Sequence, residues 1–240
     1  MEEILLISAL TIVASWVGTL SGFGSSTVLV PVLLLFFPLP ETLLLAGILH
    51  WFNDIWKLTL FRKGIKWNLI LSFGIPGVIA TFIGASLILT APEELLSRIL
   101  GGFLITYAFY LLIHHKFKVP TSTPTAIAGG TLSGFFAGIF GLGGAIRSAF
   151  LTTYNLPKVV YIATAGAIGL AIDSTRVVTY LAEGSQLRST LWFGLILFIP
   201  ASFIGAKIAQ KMVKKIPQKQ FRFVIAMFLL VAGVKFLFLP

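Results

Sequence analysis

Apolar residues fill this chain in long blocks, and the polar residues are confined to narrow gaps between them. Residues 4–20, 68–90, 95–113, 190–209 and 223–239 are overwhelmingly apolar. A helix needs about 20 such residues to cross a ~30 Å bilayer core. Three further blocks, 42–61, 125–140 and 159–181, have similar character, although the first and last carry charges in their interiors. Two blocks are short, 27–37 and 145–154. Eleven residues of helix reach only ~16 Å, too little to cross alone. Each short block follows a glycine-rich break, Ser21-Gly22-Phe23-Gly24-Ser25-Ser26 or Gly141-Leu142-Gly143-Gly144. No alternating segments of the kind that build a membrane barrel occur. The pattern predicts an all-α polytopic integral membrane protein with eight longer spans and two short segments entered through discontinuous helices.

The second half of the chain repeats the first. A single offset of 119 residues superposes Gly22 on Gly141, Gly24 on Gly143, Pro38 on Pro157, Gly47 on Gly166, Asp54 on Asp173 and Lys57 on Arg176. Further along, an offset of 124 matches Pro76 to Pro200 and Arg98 to Arg222. The charged pairs weigh most, because acids and bases inside membrane helices are rare. The chain therefore divides into two transmembrane repeats, residues 1–120 and 121–240.

Composition agrees with the class: 57% of residues are hydrophobic and 11% charged, with a mean hydropathy of +0.99. Soluble domains are nearer ~45–50% apolar and ~25% charged. The first block follows Glu2 and Glu3 rather than a basic leader, which marks it as a retained span. The net charge of +10 invites a nucleic-acid reading, but topology explains it better. With Arg62, Lys63 and Lys66 placed in the cytoplasm, as lysine and arginine flanks prefer, Lys116, Lys118, Lys158 and the basic run 207–222 follow to the same side. Glu2, Glu3, Glu41, Glu93, Glu94 and Glu183 fall on the other. This requires each broken pair to make no net crossing or two, so each half crosses an odd number of times. The repeats are then inverted, with both termini outside.

Candidate chemistry centres on the breaks. Half-helix N-termini exposed by such breaks suit anions. Gly24, Ser25, Ser26 and Thr27 stand at the first, where hydroxyls and N–H groups suit oxyanion oxygens, with capping of the short helix as the rival role. Gly143, Gly144, Arg147 and Ser148 stand at the second. The spacing predicts Arg147 in the first turn after the break, opposite Ser25–Thr27. An unpaired arginine at membrane depth costs at least ~2.5–3.5 kcal/mol, so it needs an acid, a wet cavity or an anion. Asp54 and Lys57, and Asp173 and Arg176, are three apart and can pair within their helices. Their aspartates are alternatively proton sites, with Asn53 and Ser174 as flanking ligands. His50 lies one turn before Asp54, as a relay or a satisfied core histidine. The three histidines, His50, His114 and His115, make no metal set, there is no cysteine, and no cofactor is expected.

The two breaks, S-G-F-G-S-S-T-V-L-V-P at residues 21–31 and G-I-F-G-L-G-G-A-I-R-S at 138–148, resemble the repeated glycine-rich motif of the sulfite exporter TauE/SafE family of membrane transporters. The resemblance covers essentially the whole chain, including its length and duplication. The chain departs from the pattern in having Ser25 and Ser26 where the family has glycines in the first copy, Ala145 for another in the second, and no proline after the second. Arg147 replaces an expected apolar residue. The resemblance implies export or movement of sulfite, sulfonates or related small organic anions. Together these features predict a secondary transporter of a small anion (sulfite, organosulfonate or a related sulfur-containing or carboxylate anion) in the cell membrane, working by alternating access and coupled to protons or the membrane potential. An anion channel is the alternative. An intramembrane enzyme lacks support, since no G-x-S-x-G or H-E-x-x-H occurs, and neither a Lys-Ser nor a Lys-Thr follows the glycines as nucleotide binding requires.

Overall fold

The computed structural model describes residues 2–61, 64–88, 91–113, 119–213 and 218–239. Arg62, Lys63, His114, His115, Lys116 and Lys118 lie outside the described residues. Among those described there are ten α-helices and no strand. The first repeat supplies α1 (Glu2–Ser21), α2 (Ser26–Leu33), α3 (Leu39–Leu60), α4 (Trp67–Ser86) and α5 (Glu93–Ile113). The second supplies α6 (Thr123–Phe140), α7 (Gly143–Thr152), α8 (Lys158–Ala182), α9 (Ser189–Met212) and α10 (Gln218–Phe238). Eight long and two short helices stand where the hydropathy pattern expects them.

Boundaries moved for local reasons. α3 starts at Leu39 rather than 42, with Pro40 in its first turn, where a missing N–H is harmless. α2 stops at Leu33 rather than 37, because the Leu35 and Phe36 N–H groups turn to the Val32 and Leu33 carbonyls three residues back, the tighter bonding common at helix C-termini. The second break is narrower than the sequence implies. Gly141 takes φ 70 and closes α6, and α7 begins at Gly143. Gly143 and Gly144 are therefore helical, and Arg147 sits in the second turn of α7, not the first. In the first break Gly24 takes φ 88, a left-handed conformation that costs a residue with a Cβ about 1–2 kcal/mol.

The helices interlock across the repeats. α1 packs on α9 and α6 on α4, while α3 packs on α8 and α5 on α10. Exchanging the two halves maps this set of pairs onto itself. Along α3 and α8, Gly47 meets Val177, His50 meets Asp173, Asp54 meets Gly169 and Lys57 meets Gly166. As one number rises the other falls, so these equivalent helices are antiparallel. The pseudo-twofold axis thus runs across the helices and not along them, which is the geometry of an inverted repeat.

Which surfaces face lipid follows from exposure. Large apolar side chains such as Leu6, Ile75, Ile79, Phe82, Phe193 and Ile196 are exposed on α1, α4 and α9. These helices and α5 are long and apolar enough to cross a membrane. α3 and α8, which carry charges in their interiors, are central, with Leu43, Leu44, Leu45, Leu49, Ile168 and Ile172 fully buried.

Polar residues segregate to the ends. Glu2, Glu3, Phe36, Phe37 and Arg188 share one cavity at one end, where Arg188 also binds Glu41 and Glu93 accepts from the Leu39 N–H. At the other, Lys158 donates to the Val213 carbonyl and Gln210 to the Leu60 carbonyl. Since α1 begins and α2 ends at the acidic end, the first broken pair makes no net crossing. The chain has no cysteine, so single cysteines report sidedness without background. With residue 93, 183 or 211 replaced, an impermeant thiol reagent added outside cells should label 93 and 183 and spare 211. Labelling of all three from one face would overturn the inverted arrangement.

Candidate functional site

The two breaks meet at the centre of the molecule. Gly144 lies so close to the Phe23 carbonyl that a Cβ there would overlap it, and Gly24 lies equally close to the His50 ring. α3 and α8 cross beside them and present their charges to the same point. Lys57, Asp54, Asp173, Arg176 and Arg147 are each at most 2% exposed, so every one of these charges has lost its water.

The expected intrahelical pairs form. Lys57 Nζ is 2.6 Å from Asp54 Oδ1. Arg176 Nε is 2.6 Å from Asp173 Oδ1, a close ion-pair contact in which the N–H is not aimed along a hydrogen bond. The pairs are not separate, however. His50 Nδ1 is 3.2 Å from Asp173 Oδ2 and its Nε2 is 3.7 Å from Asp54 Oδ1. The imidazole therefore bridges one carboxylate from each repeat. Arg176 Nη2 donates to Ser26 Oγ at 3.0 Å and lies 3.4 Å from His50 Nδ1. It is thus Arg176, on α8, that faces Ser26.

Arg147 occupies a different place. Its Nη2 and Asp54 Oδ2 both crowd Gly169, each near the position a Cβ would take. Gly169 is the counterpart of His50 under the 119-residue offset. Where the first repeat has an imidazole, the second has no side chain, and the guanidinium of Arg147 uses that room. Arg147 Nε and Nη2 have no hydrogen-bond partner among the described residues, and neither does Asp54 Oδ2. The cluster holds three cations and two carboxylates, leaving one positive charge uncompensated when His50 is neutral. His50, Asp54 and Asp173 could bring three ligand atoms within 4.8 Å of one another. A metal cation there would face Lys57, Arg176 and Arg147, so the set suits no metal.

The remaining sequence candidates divide. Ser25 does not cap α2 with its side chain, and its hydroxyl is buried without a partner among the described residues. Thr27 bonds the Phe23 carbonyl of the preceding turn at 3.3 Å. Asn53 Oδ1 accepts from Thr19, while its Nδ2 is unpaired. Ser174 accepts from the Trp51 indole and donates to the Leu170 carbonyl, so it joins α3 to α8 without facing the acids. Gly143 packs on the Ser133 carbonyl and Ala137.

Ser148 accepts from the Tyr161 hydroxyl at 2.7 Å and borders a cavity of about 360 Å³. This cavity runs from exposed Thr152 and Asn155, beside Lys158, to Ser21, Phe23 and Ser148. It opens at the basic end and stops short of Arg147. Tyr161 lines the cavity and also packs on Gly22. At the acidic end, Arg188 is held by bonds of 2.9, 3.1 and 2.9 Å to Glu41 and a 4.8 Å approach to the Phe37 ring. Sequence reasoning missed Tyr161, Gly169 and the Glu41–Arg188 clamp. The offset that pairs His50 with Gly169 was the one available signal.

A duplicated bundle of broken helices enclosing a buried, charged centre defines a multi-pass membrane transporter. The sulfite exporter TauE/SafE family model matches residues 7–236, and the chain belongs to that family. It is also similar to a protein of Methanocaldococcus jannaschii described as a probable membrane transporter, with 25% identity over 261 aligned positions that cover 97% of this chain and 96% of the relative.

Proposed function

We propose that the chain is a secondary transporter that moves a small anion, sulfite as its hydrogensulfite monoanion, an organosulfonate or a related carboxylate, by alternating access between its two repeats, residues 1–120 and 121–240. The observation that carries this reading is Arg147. A guanidinium 1% exposed, with two nitrogens unpaired in a cluster one positive charge in excess, is costly unless an anion joins it. Two parallel N–H donors match two oxygens of a sulfonate or the planar fork of a carboxylate. Gly24, Ser25, Ser26 and Thr27 on one side and Gly143, Gly144 and Ser148 on the other supply the small and hydroxylated surroundings. The basic-end cavity is the approach from the cytoplasm, by the lysine preference for that side, and Tyr161 and the Glu41–Arg188 clamp are the inner and outer closures. The family membership of the chain supports sulfur oxyanions over other monoanions.

The test is uptake of labelled sulfite, methanesulfonate and acetate into proteoliposomes holding the purified chain. Saturable uptake, with one of these anions inhibiting another, is expected. Flux that rises without saturation and appears as single-channel conductance steps would replace the carrier with an anion channel.

A further inference from the structure

The inference that follows rests on the anion-carrier reading and concerns what travels with the anion. α3 runs from the acidic end to the basic end and α8 runs back. Along the bilayer normal their charges therefore fall in the order Arg176, then Asp173 with His50, then Asp54 beside Arg147, then Lys57. The two carboxylates sit at different depths, one in each repeat, and His50 lies between them at 3.2 and 3.7 Å. Among the described residues, the charged groups facing the ring are Asp54 and Lys57 on α3, Asp173 and Arg176 on α8, and Arg147 on α7. The first break contributes only Gly24, whose missing side chain leaves room for the ring. His50 Nε2 and Asp173 Oδ2 are both buried without a hydrogen-bond partner among the described residues, and His50 is only 2% exposed.

We infer that His50 is a proton relay that couples the anion to a proton moving in the same direction. The ring takes a proton at Nδ1 from the carboxyl of Asp173, breaking an O–H bond and forming an N–H bond. The imidazolium then gives up its Nε2 proton to Asp54 Oδ1, breaking that N–H bond and forming an O–H bond. The ring is left with its remaining proton on Nδ1, and loss of that proton to solvent with uptake of another at Nε2, when the centre opens in the return half of the cycle, restores the starting tautomer. The sign of the coupling comes from charge. Without an anion the centre already carries one excess positive charge, and a proton on His50 would make two in a dry interior. With a monoanion bound the centre is neutral, so the proton adds only one. Anion binding thus favours proton binding, and by reciprocity the proton favours the anion. One proton per monoanion makes the cycle electroneutral. An inward proton gradient drives uptake, and export proceeds where the outward anion gradient exceeds it.

Methanesulfonate is the appropriate probe, because it stays ionised across the physiological range while sulfite itself titrates there. Its entry into proteoliposomes, with the potential clamped, should acidify the lumen as read by a trapped pH dye, and should be unchanged in initial rate when the potential is varied. In His50→Gln, methanesulfonate should still bind but with an affinity that no longer strengthens as pH falls, while acidification falls to that of empty vesicles. Unchanged acidification in folded His50→Gln would overturn the relay. A second measurement needs no variant: calorimetric binding to the native chain in buffers of different ionisation enthalpy should report proton uptake with the anion. Binding without proton uptake overturns the relay alone, and absence of both binding and transport overturns the carrier reading as well.

Discussion

Arg147→Ala should weaken methanesulfonate binding to the purified, folded chain by roughly 1.5–3 kcal/mol, the worth of a hydrogen bond to a charged group. That corresponds to about a tenfold to a hundredfold rise in Kd. Arg147→Lys should fall between the two, because a lysine keeps the charge but cannot present two parallel donors. Binding by calorimetry, paired with thermal denaturation in detergent, separates loss of the site from loss of the fold. The substitution also removes the uncompensated charge from a centre that holds Asp54, Asp173, Lys57 and Arg176 in two ion pairs. Stability should therefore hold or rise while affinity falls. Equal affinity in Arg147→Ala would make this arginine a packing residue and move the anion elsewhere.

Gly134→Ala should destabilise the chain more than any exposed helix glycine does. α4 and α6 run parallel, with Phe73 beside Gly130, Gly77 beside Gly134 and Thr81 beside Gly138. Thr81 Oγ1 bonds the Gly134 carbonyl at 3.0 Å across this contact. A Cβ on Gly134 would overlap the Gly77 carbonyl, and backbone cannot turn aside as a side chain can. Overpacking of this kind costs about 1–3 kcal/mol, equivalent to a fall of roughly 2–12 °C in Tm for a chain of this size. Gly102→Ala is the control, since nothing lies within 4 Å of the added atom. Alanine is the better helix former by about 1 kcal/mol, so Gly102→Ala should hold or raise Tm. Equal Tm in Gly134→Ala and its parent would mean the two helices are free to separate. The same contact explains why small residues recur every fourth position through α6: helices in lipid gain by close packing, not by hiding from water.

How much of this was legible before folding depended on range. Spans, breaks and the duplication are properties of short windows or of fixed offsets, and a bilayer punishes any long apolar block that does not cross it. The ten helices therefore follow from hydropathy and from Gly22, Gly24 and Gly141, and the Asp54–Lys57 and Asp173–Arg176 pairs follow from helical spacing alone. The segregation of Glu2, Glu41 and Glu93 from Lys158 and Lys211 was readable too, because a membrane sorts charge by side. What needed the tertiary structure was everything that crosses between the repeats. No spacing says that α1 packs on α9, that Arg176 and not Arg147 reaches Ser26, or that Tyr161 closes on Ser148. Those contacts arise because two antiparallel, equivalent helices lie about a twofold axis, which brings residues numbered in opposite directions face to face. His50 shows the limit most clearly. In sequence it is one histidine a turn from one aspartate, and only the crossing of α3 over α8 sets it against the second.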